Sequence, residues 1–342
     1  MTSPPATTAP ALPRAADYNV GHAASQPVPE DIVVPRATVY EDPAFATPEP
    51  LLNSREAVFF KSRGYIVKRG LIGDPETFRR IVDQIWLNVP RGLLRRDDPG
   101  TWTDAPDAEW TEADALRVGL LAGGNWKMRS RDGIGTENFL VEAIANHPAM
   151  RSLAEAFIGG PVKRAERVRG IYCIFPKAPG AAAQYRPHAD NAAAHLSAMV
   201  IADTTPPGTG GFTVWPGSHR RLHIHWDTVH GGSISPERSE SYRLARDAIL
   251  RDTGPVEFTG VAGDVVFWHP RLLHSAGINR SADGDAPRVR VIVPCDYERA
   301  DRSHFDDMEF GPGARYQWWI DTRNFREDVA PTEDNMWRDW AI

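Results

Sequence analysis

The residues with the clearest chemical potential are histidines that precede an acidic residue by two positions. Three such pairs occur: His188-Ala-Asp190, His225-Trp-Asp227 and His304-Phe-Asp306. With 11 histidines and 45 acidic residues among 342, one or two pairs are expected by chance, so the spacing alone decides nothing. On an extended strand, residues i and i+2 point to the same side, so such a pair delivers two ligands to one metal ion. Two histidines and one carboxylate are the ligand set of non-haem ferrous oxygenases, in which the remaining metal positions stay open.

The choice among the three pairs depends on the third ligand, which must come from a second strand distant in the sequence. His304 has no histidine after it, and His225 lies in a polar insertion where no predicted strand fixes its geometry. His188 directly precedes an apolar segment, and His274 lies 86 residues later inside another one. We therefore predict a metal site formed by His188, Asp190 and His274.

The predicted secondary structure changes along the chain from helices to strands. Between residues 54 and 158 apolar residues recur at helical spacing, with a helix-start signal at Asp74-Pro75. After residue 160 the period shortens to two, and turn signals separate short apolar segments. The candidate strands are 162–175, 195–203, 211–215, 256–260, 264–268, 272–276 and 288–295. This pattern predicts a mainly β protein with flanking α-helices, in which N-terminal helices pack on a jelly-roll barrel.

The predicted domain organisation is one folded unit preceded by an arm. Residues 1–50 contain ten of the 29 prolines and ten alanines, which predicts a flexible arm; the alternative is a strap that completes the core or a dimer contact. Residues 51–342 form a single domain with a β core over about 160–297. An insertion over about 220–254 is placed at the mouth of the site, and its histidines fit no compact ligand set. A charged, tryptophan-rich extension covers 298–342.

Composition excludes several classes of protein. The net charge is -6, which disfavours a non-specific nucleic-acid binder. The two cysteines, Cys173 and Cys295, are far apart in apolar segments, so a disulfide framework or thiolate zinc site is not expected. No apolar run approaches a membrane span, and no signal peptide is recognisable. The expectation is a cytoplasmic protein without nucleic-acid or membrane partners.

Five separated motifs carry a family resemblance. After His188-Ala-Asp190 come "VWPGSHR" (214–220), the Gly263-Asp264 pair, the two-histidine segment "WHPRLLHSAGIN" (268–279) and "PRVRVIV" (287–293). In type, order and spacing this set resembles the phytanoyl-CoA dioxygenase family over roughly residues 55–297. The resemblance implies a double-stranded β-helix of the cupin type and an oxygenase that uses Fe(II) and 2-oxoglutarate. It also selects His274 rather than His269 as the second histidine ligand.

The resemblance further implies residues that bind 2-oxoglutarate. Arg288 occupies the position of the arginine that pairs with the distal carboxylate, a role that suits a planar guanidinium. Arg290 lies on the same strand face and is the alternative. Cys173 and Met199 fall where the family lines the cosubstrate pocket, although both also suit an apolar strand.

Two further residues are candidates for contacts with the cosubstrate. Lys127 is a candidate for a second contact. Where the family often has a serine, this chain has Ala276, and Ser275 beside it is the candidate for that contact.

The function implied is oxidation of an aliphatic C–H bond, by default hydroxylation, of a small-molecule substrate by dioxygen. 2-Oxoglutarate is converted to succinate and carbon dioxide, and secondary metabolism is the favoured setting. Asp190 argues against halogenation, because its carboxylate occupies the position that a halide would need. The alternatives are a metal-dependent cupin-type enzyme that does not use 2-oxoglutarate, and a non-catalytic β-barrel binding protein. The sequence leaves the oligomeric state open.

Overall fold

The fold was analysed in a computed structural model of the chain. The structure describes residues 28–40, 51–89, 93–105, 118–119, 121–128, 133–190, 196–225, 236–284, 286–300, 336–337 and 340–342. Residues 1–27 and 41–50 of the predicted arm, and 301–335 of the predicted C-terminal extension, lie outside the described residues.

Two sheets form the centre of the molecule. The described strands are β1 (Thr38–Val39), β2 (Tyr65–Lys68), β3 (Leu121–Ala122), β4 (Asn125–Met128), β5 (Ile171–Ile174), β6 (Leu196–Ile201), β7 (Phe212–Val214), β8 (Val256–Glu257), β9 (Val265–Trp268), β10 (His274–Ala276) and β11 (Arg290–Tyr297). The major sheet has the order β2-β9-β6-β11-β5-β4-β3 and is antiparallel throughout. The minor sheet has the order β1-β8-β7-β10, in which only the pair β1–β8 is parallel.

Helices cover the outer faces of both sheets. They are α1 (Ser54–Arg63), α2 (Pro75–Asn88), α3 (Asn138–Ala143), α4 (Pro148–Ile158), α5 (Ser218–Leu222) and α6 (Pro236–Asp252). Apolar residues of α1 to α4 pack against the major sheet in the largest core cluster. Helices α5 and α6 pack behind the minor sheet with Trp215 and Leu273. A third cluster, with Phe212, Met199 and Val266, fills the space between the two sheets.

This layered arrangement confirms the predicted fold class. The two sheets face each other as in a jelly roll, and helices from the N-terminal half cover the larger one. The placement of the insertion at the mouth of the site stays a prediction. The apolar residues of its described helix α6 are buried against the outer face of the minor sheet. Residues 226–235 of the insertion lie outside the described residues.

The second half of the predicted arm belongs to the folded core. Strand β1 extends the minor sheet, Ile32 is buried behind that sheet, and Tyr40 is buried between the two sheets. This corrects the expectation of a flexible arm for residues 28–40 and agrees with the strap alternative. Proline prevents long regular structure in this segment, but two strand residues suffice to pair with β8.

Two other elements differ from the sequence prediction. The predicted strand 162–175 is confined to Ile171–Ile174, because Gly170 has a φ of 121° that interrupts the extended backbone. The hairpin β3–β4 was not predicted. Gly123 and Gly124, with φ of 56° and 75°, form its two-residue turn, and such a glycine pair between apolar segments was the available signal.

Gly263 provides a stability prediction for the turn before β9. It has a φ of 93°, and a Cβ atom there would lie 2.1 Å from the carbonyl oxygen of Ile72. We expect Gly263→Ala to lower the free energy of unfolding by about 2–4 kcal/mol, because it combines an unfavourable φ with a backbone clash. Chemical denaturation measures the change. Gly73→Ala is the control, because a Cβ atom there meets nothing within 4 Å; equal losses in both variants would contradict the prediction.

Candidate metal centre

His188, Asp190 and His274 converge at one end of the minor sheet. His188 and His274 form an antiparallel bridge in which each backbone N–H donates to the other carbonyl at 2.9 Å. Oδ1 of Asp190 lies 3.6 Å from Nε2 of His274 and 4.0 Å from Nε2 of His188. One ligand atom from each residue falls within 4.8 Å of the others, and this is the one such group among the described residues. The structure thus brings together the three ligands chosen from the sequence.

Backbone carbonyls orient both imidazoles. Nδ1 of His188 lies 2.9 Å from the carbonyl oxygen of Arg186, and Nδ1 of His274 lies 2.8 Å from that of Leu272. A carbonyl only accepts, so each Nδ1 carries the hydrogen and each Nε2 keeps a lone pair. This is the tautomer that binds a metal through Nε2.

The surroundings of Asp190 keep its carboxylate ionised. Oδ2 accepts a hydrogen bond of 2.9 Å from Nη2 of Arg169. Burial by itself would raise the pKa of Asp190, but the charge of Arg169 and the neighbouring His274 and His188 outweigh it and hold that pKa well below its usual range. The site therefore offers Nε2 of each imidazole and one anionic carboxylate oxygen.

Side chains from the minor-sheet side hold the backbone of the ligand segment. The N–H of Ala189 donates to the Tyr242 hydroxyl of α6 at 3.1 Å, and the N–H of Asp190 donates to the carbonyl of Pro270 at 3.0 Å. Nη1 of Arg271 donates to the carbonyl of Asp190 at 3.2 Å. Arg271 also reaches the carbonyl of His225 at 2.7 Å, so it joins the ligand segment to the insertion. Neither Tyr242 nor Arg271 carried a signal in the sequence.

A small cavity lies between the two sheets. Phe212 joins it to the metal group, because its ring also packs 5.2 Å from that of His274, centroid to centroid. The walls are otherwise mainly apolar, with one cation. The lining residues are Met199, Ile201, Thr205, Gly211, Phe212, Phe258, Val266, Arg290 and Ile292.

Arg290, and not Arg288, reaches this cavity. The side chain of Arg290 is 4% exposed, and its Nε has no hydrogen-bond partner among the described residues. Burial lowers the pKa of Arg290 to about 10, so the guanidinium is still a cation at neutral pH. Arg288 is exposed, and its backbone bonds with Asn279 and Ser281 in the preceding turn. Strand β11 begins only at Arg290, which is why the earlier arginine lies outside the sheet.

The other predicted cosubstrate residues are distributed around the sheets. Met199 lines the cavity. Cys173 does not, because it alternates with the inward-facing Tyr172 on β5 and packs in the helical core, where burial raises the pKa of its thiol to about 12. The hydroxyl of Ser275 accepts from the N–H of Arg186 at 3.0 Å and so supports the segment before His188. Lys127 places its ammonium 5.1 Å from the Tyr172 ring centroid.

Three further histidines form a buried aromatic cluster, separate from the metal group. The ring of His269 lies 5.5 Å from that of His219, 6.1 Å from that of His223 and 5.6 Å from that of Trp340, centroid to centroid. Burial lowers the pKa of His219 and of His223 to about 3. Burial also lowers the pKa of His269, so all three imidazoles are neutral. His230 and His304 lie outside the described residues.

Comparison with known proteins assigns the family. A family model described as phytanoyl-CoA dioxygenase (PhyH) matches residues 60–288, about two thirds of the chain. The chain belongs to the PhyH family. Members are oxygenases that use non-haem iron and 2-oxoglutarate, so the protein is an oxidoreductase with these cofactors, and the convergent His-Asp-His group supplies a fitting ligand set. A search of curated proteins gives no match.

Several solved structures resemble this chain at low sequence identity. EctD from S. alaskensis with bound Fe is 19% identical, with 80% of this chain and 83% of that chain covered and a TM-score of 0.46. The carbocyclase SnoK from nogalamycin biosynthesis is 18% identical over 75% and 88% of the two chains, with a TM-score of 0.43. AviO1 from Streptomyces viridochromogenes Tue57 is 16% identical over 74% and 98%, with a TM-score of 0.43. Among the described helices, none has both the length and the apolar character needed to cross a bilayer.

The histidine cluster predicts a pH dependence of stability. An unfolded histidine has a pKa near 6.5, whereas the folded pKa of His219 is about 3. As the pH falls through this interval, the unfolded chain binds a proton that the folded chain does not, and stability falls by about 1.4 kcal/mol per pH unit for this imidazole. We expect His219→Gln to show a shallower loss of stability between pH 6 and pH 4. Denaturation of both proteins at each pH measures this, and parallel curves would contradict it.

Proposed function

We propose that the protein is a dioxygenase that hydroxylates an aliphatic C–H bond of a small-molecule substrate in secondary metabolism. Its cosubstrates are dioxygen and 2-oxoglutarate, and its products include succinate and carbon dioxide. The observation that carries this proposal is the adjacency of the metal group to an apolar cavity that contains one buried arginine.

The metal group has the donors that ferrous iron takes in this class of enzyme. Nε2 of His188, Nε2 of His274 and Oδ1 of Asp190 would hold the ion. Iron with 2-oxoglutarate supplies the capacity to activate dioxygen and oxidise an unactivated C–H bond. The chain's own contribution is to fix three ligands and to leave the remaining positions for the reactants.

Arg290 is the residue that we assign to the distal carboxylate of 2-oxoglutarate. A buried guanidinium without a partner at Nε is costly, and a carboxylate that accepts two parallel hydrogen bonds removes that cost. Thr205 lies in the same lining, but its hydroxyl donates to the carbonyl of Asp203 at 3.0 Å, so Arg290 is the donor that we assign to this carboxylate. Met199, Phe212 and Ile292 enclose the carbon chain and exclude water. Arg290 was the alternative left open by the sequence, and it replaces Arg288 in this role.

The alternatives from the sequence are less compatible with this cavity. A cupin-type enzyme that does not use 2-oxoglutarate has no need of a buried cation beside the metal group, and neither does a binding module without turnover. The acidic ligand Asp190 also favours hydroxylation over halogenation. A cytoplasmic setting and the absence of nucleic-acid and membrane partners remain parts of this proposal.

The pair Arg290 and Arg288 offers a matched test of the cosubstrate site. We expect Arg290→Met to raise the 2-oxoglutarate concentration for half-maximal activity roughly 30-fold or more, because a buried charge-assisted pair is worth at least about 2 kcal/mol. Arg288→Met, two residues earlier and exposed, should change it less than about twofold. The quantity is measured by titrating 2-oxoglutarate against succinate release. The reverse ranking would return the role to Arg288.

Removal of the acidic ligand tests the metal group. We expect Asp190→Ala to abolish succinate release and to weaken the binding of Fe(II) by at least about 100-fold, since the only anionic ligand is lost. Binding is measured anaerobically by calorimetry, and circular dichroism checks that the sheets are retained. Full metal affinity in the folded variant would show that the ion binds elsewhere.

The experiment that decides the function is a substrate screen under air with Fe(II), read by succinate release and by product mass. A mass increase of one oxygen that depends on added 2-oxoglutarate supports the proposal. Product formed without 2-oxoglutarate would favour the cupin-type alternative. Under anaerobic conditions, Fe(II) plus 2-oxoglutarate should give a weak visible charge-transfer band, and its absence in folded protein would favour the binding module.

A further inference from the structure

The two carboxylate oxygens of Asp190 have different surroundings. Oδ1 faces the imidazole nitrogens of His274 and His188, at 3.6 Å and 4.0 Å. Oδ2 accepts the hydrogen bond from Nη2 of Arg169 and lies on the other side of the carboxylate. One oxygen is thus available to a metal ion, whereas the second is occupied by a cation of the protein.

Arg169 is held in place without help from Asp190. Its Nε donates to Oδ2 of Asp296 at 2.7 Å, and its Nη2 donates to Oδ1 of Asp296 at 2.6 Å. Nη2 also lies 3.2 Å from the hydroxyl of Ser197 on β6, which itself donates to Asp296 at 2.8 Å. The backbone N–H of Arg169 donates to the carbonyl of Pro294 at 2.8 Å. The guanidinium is therefore fixed to the major sheet by β6 and β11.

The two sheets thus meet at the carboxylate of Asp190. His188 and His274 belong to the end of the minor sheet, whereas Ser197 and Asp296 are directly paired in the major sheet. Arg169 bridges the gap, because it bonds to both groups. The orientation of the acidic ligand is consequently set from the sheet opposite the one that supplies the histidines.

We propose that Arg169 is a positioning residue that makes Asp190 a one-oxygen metal ligand. A carboxylate can bind a metal through one oxygen or both, and binding through both takes an extra coordination position. A hydrogen-bonded, positively charged partner on Oδ2 opposes the second mode, because coordination would have to displace the guanidinium. This inference rests on the proposed function, in which the positions left open receive 2-oxoglutarate and dioxygen.

The test replaces Arg169 and reads the metal directly. Co(II) is added anaerobically in place of iron, and its visible absorption reports the coordination number. We expect Arg169→Met to change the cobalt spectrum toward a higher number of protein-derived ligands. We also expect its anaerobic Co(II) affinity to fall about tenfold or more, the range seen when a residue that supports a metal ligand is removed.

Two controls separate positioning from support of the fold. Asp296→Asn removes the negative charge beside Arg169 but keeps one oxygen that accepts from its guanidinium, and it leaves the contact with Oδ2 of Asp190, so its cobalt spectrum should stay like that of the wild type. The double variant Arg169→Met/Asp296→Asn avoids an uncompensated acidic group if the single variant folds poorly, and it should reproduce the altered spectrum. A wild-type spectrum in the folded double variant would overturn the proposal, as would an equal change in Asp296→Asn alone.

The cobalt spectrum recorded without 2-oxoglutarate distinguishes this inference from the proposed function. If the wild type binds Co(II) but not 2-oxoglutarate, the proposed function fails, whereas the comparison among the Arg169 and Asp296 variants still measures the coordination mode. If 2-oxoglutarate binds and the spectra of all variants agree, only the role of Arg169 fails.

Discussion

The pair of backbone hydrogen bonds between His188 and His274 is the constraint on which the metal group depends. Each residue donates to and accepts from the other at 2.9 Å, so the two imidazoles emerge side by side from neighbouring strands. Because residues two apart on a strand share a side, the same register carries Asp190 to the same location. A slip of one residue in either segment would send the ligands of that segment to the opposite face, away from the others. The chemistry of the site therefore depends on the register of two short segments.

The rest of the molecule stabilises that register from three directions. Helix α6 and Arg271 hold the backbone of Ala189 and Asp190 from behind the minor sheet. Ser275 holds the segment before His188, and Arg169 holds the carboxylate from the major sheet. None of these contacts needs a metal ion. The ligands are thus oriented in advance, as expected for a site in which ligand geometry must persist while reactants exchange.

The sequence predicted the parts of the site that follow from strand periodicity and spacing. His188, Asp190 and His274 were identified because few histidines combine a carboxylate at i+2 with an apolar strand context. The fold class followed from many short strands, since turn residues mark their ends. The family resemblance narrowed the chemistry to oxygenases that use iron and 2-oxoglutarate.

The other site residues depend on which side chains of a strand face the space between the sheets and which face the helices. The periodicity of the sequence does not show this here. The major sheet is buried on both faces, so its strands are apolar throughout and do not alternate. The sequence therefore did not distinguish Cys173, on the helical side, from Tyr172, on the inner side. Arg288 and Arg290 lie two residues apart, so an extended strand would point both side chains to the same side. Only the start of β11 at Arg290 distinguishes them. Arg169 was not identified because its partners are 21 and 127 residues away.

Strand β1 has a consequence for how the protein is made on the ribosome. Its described pairing partner, β8, is translated more than 200 residues later, because the N–H of Thr38 bonds to the carbonyl of Pro255. The first described strand is therefore synthesised long before its pairing partner, and the edge of β8 is covered only when β1 pairs with it. Until then Tyr40 has no apolar interior to enter. During synthesis this face is therefore exposed to unwanted association.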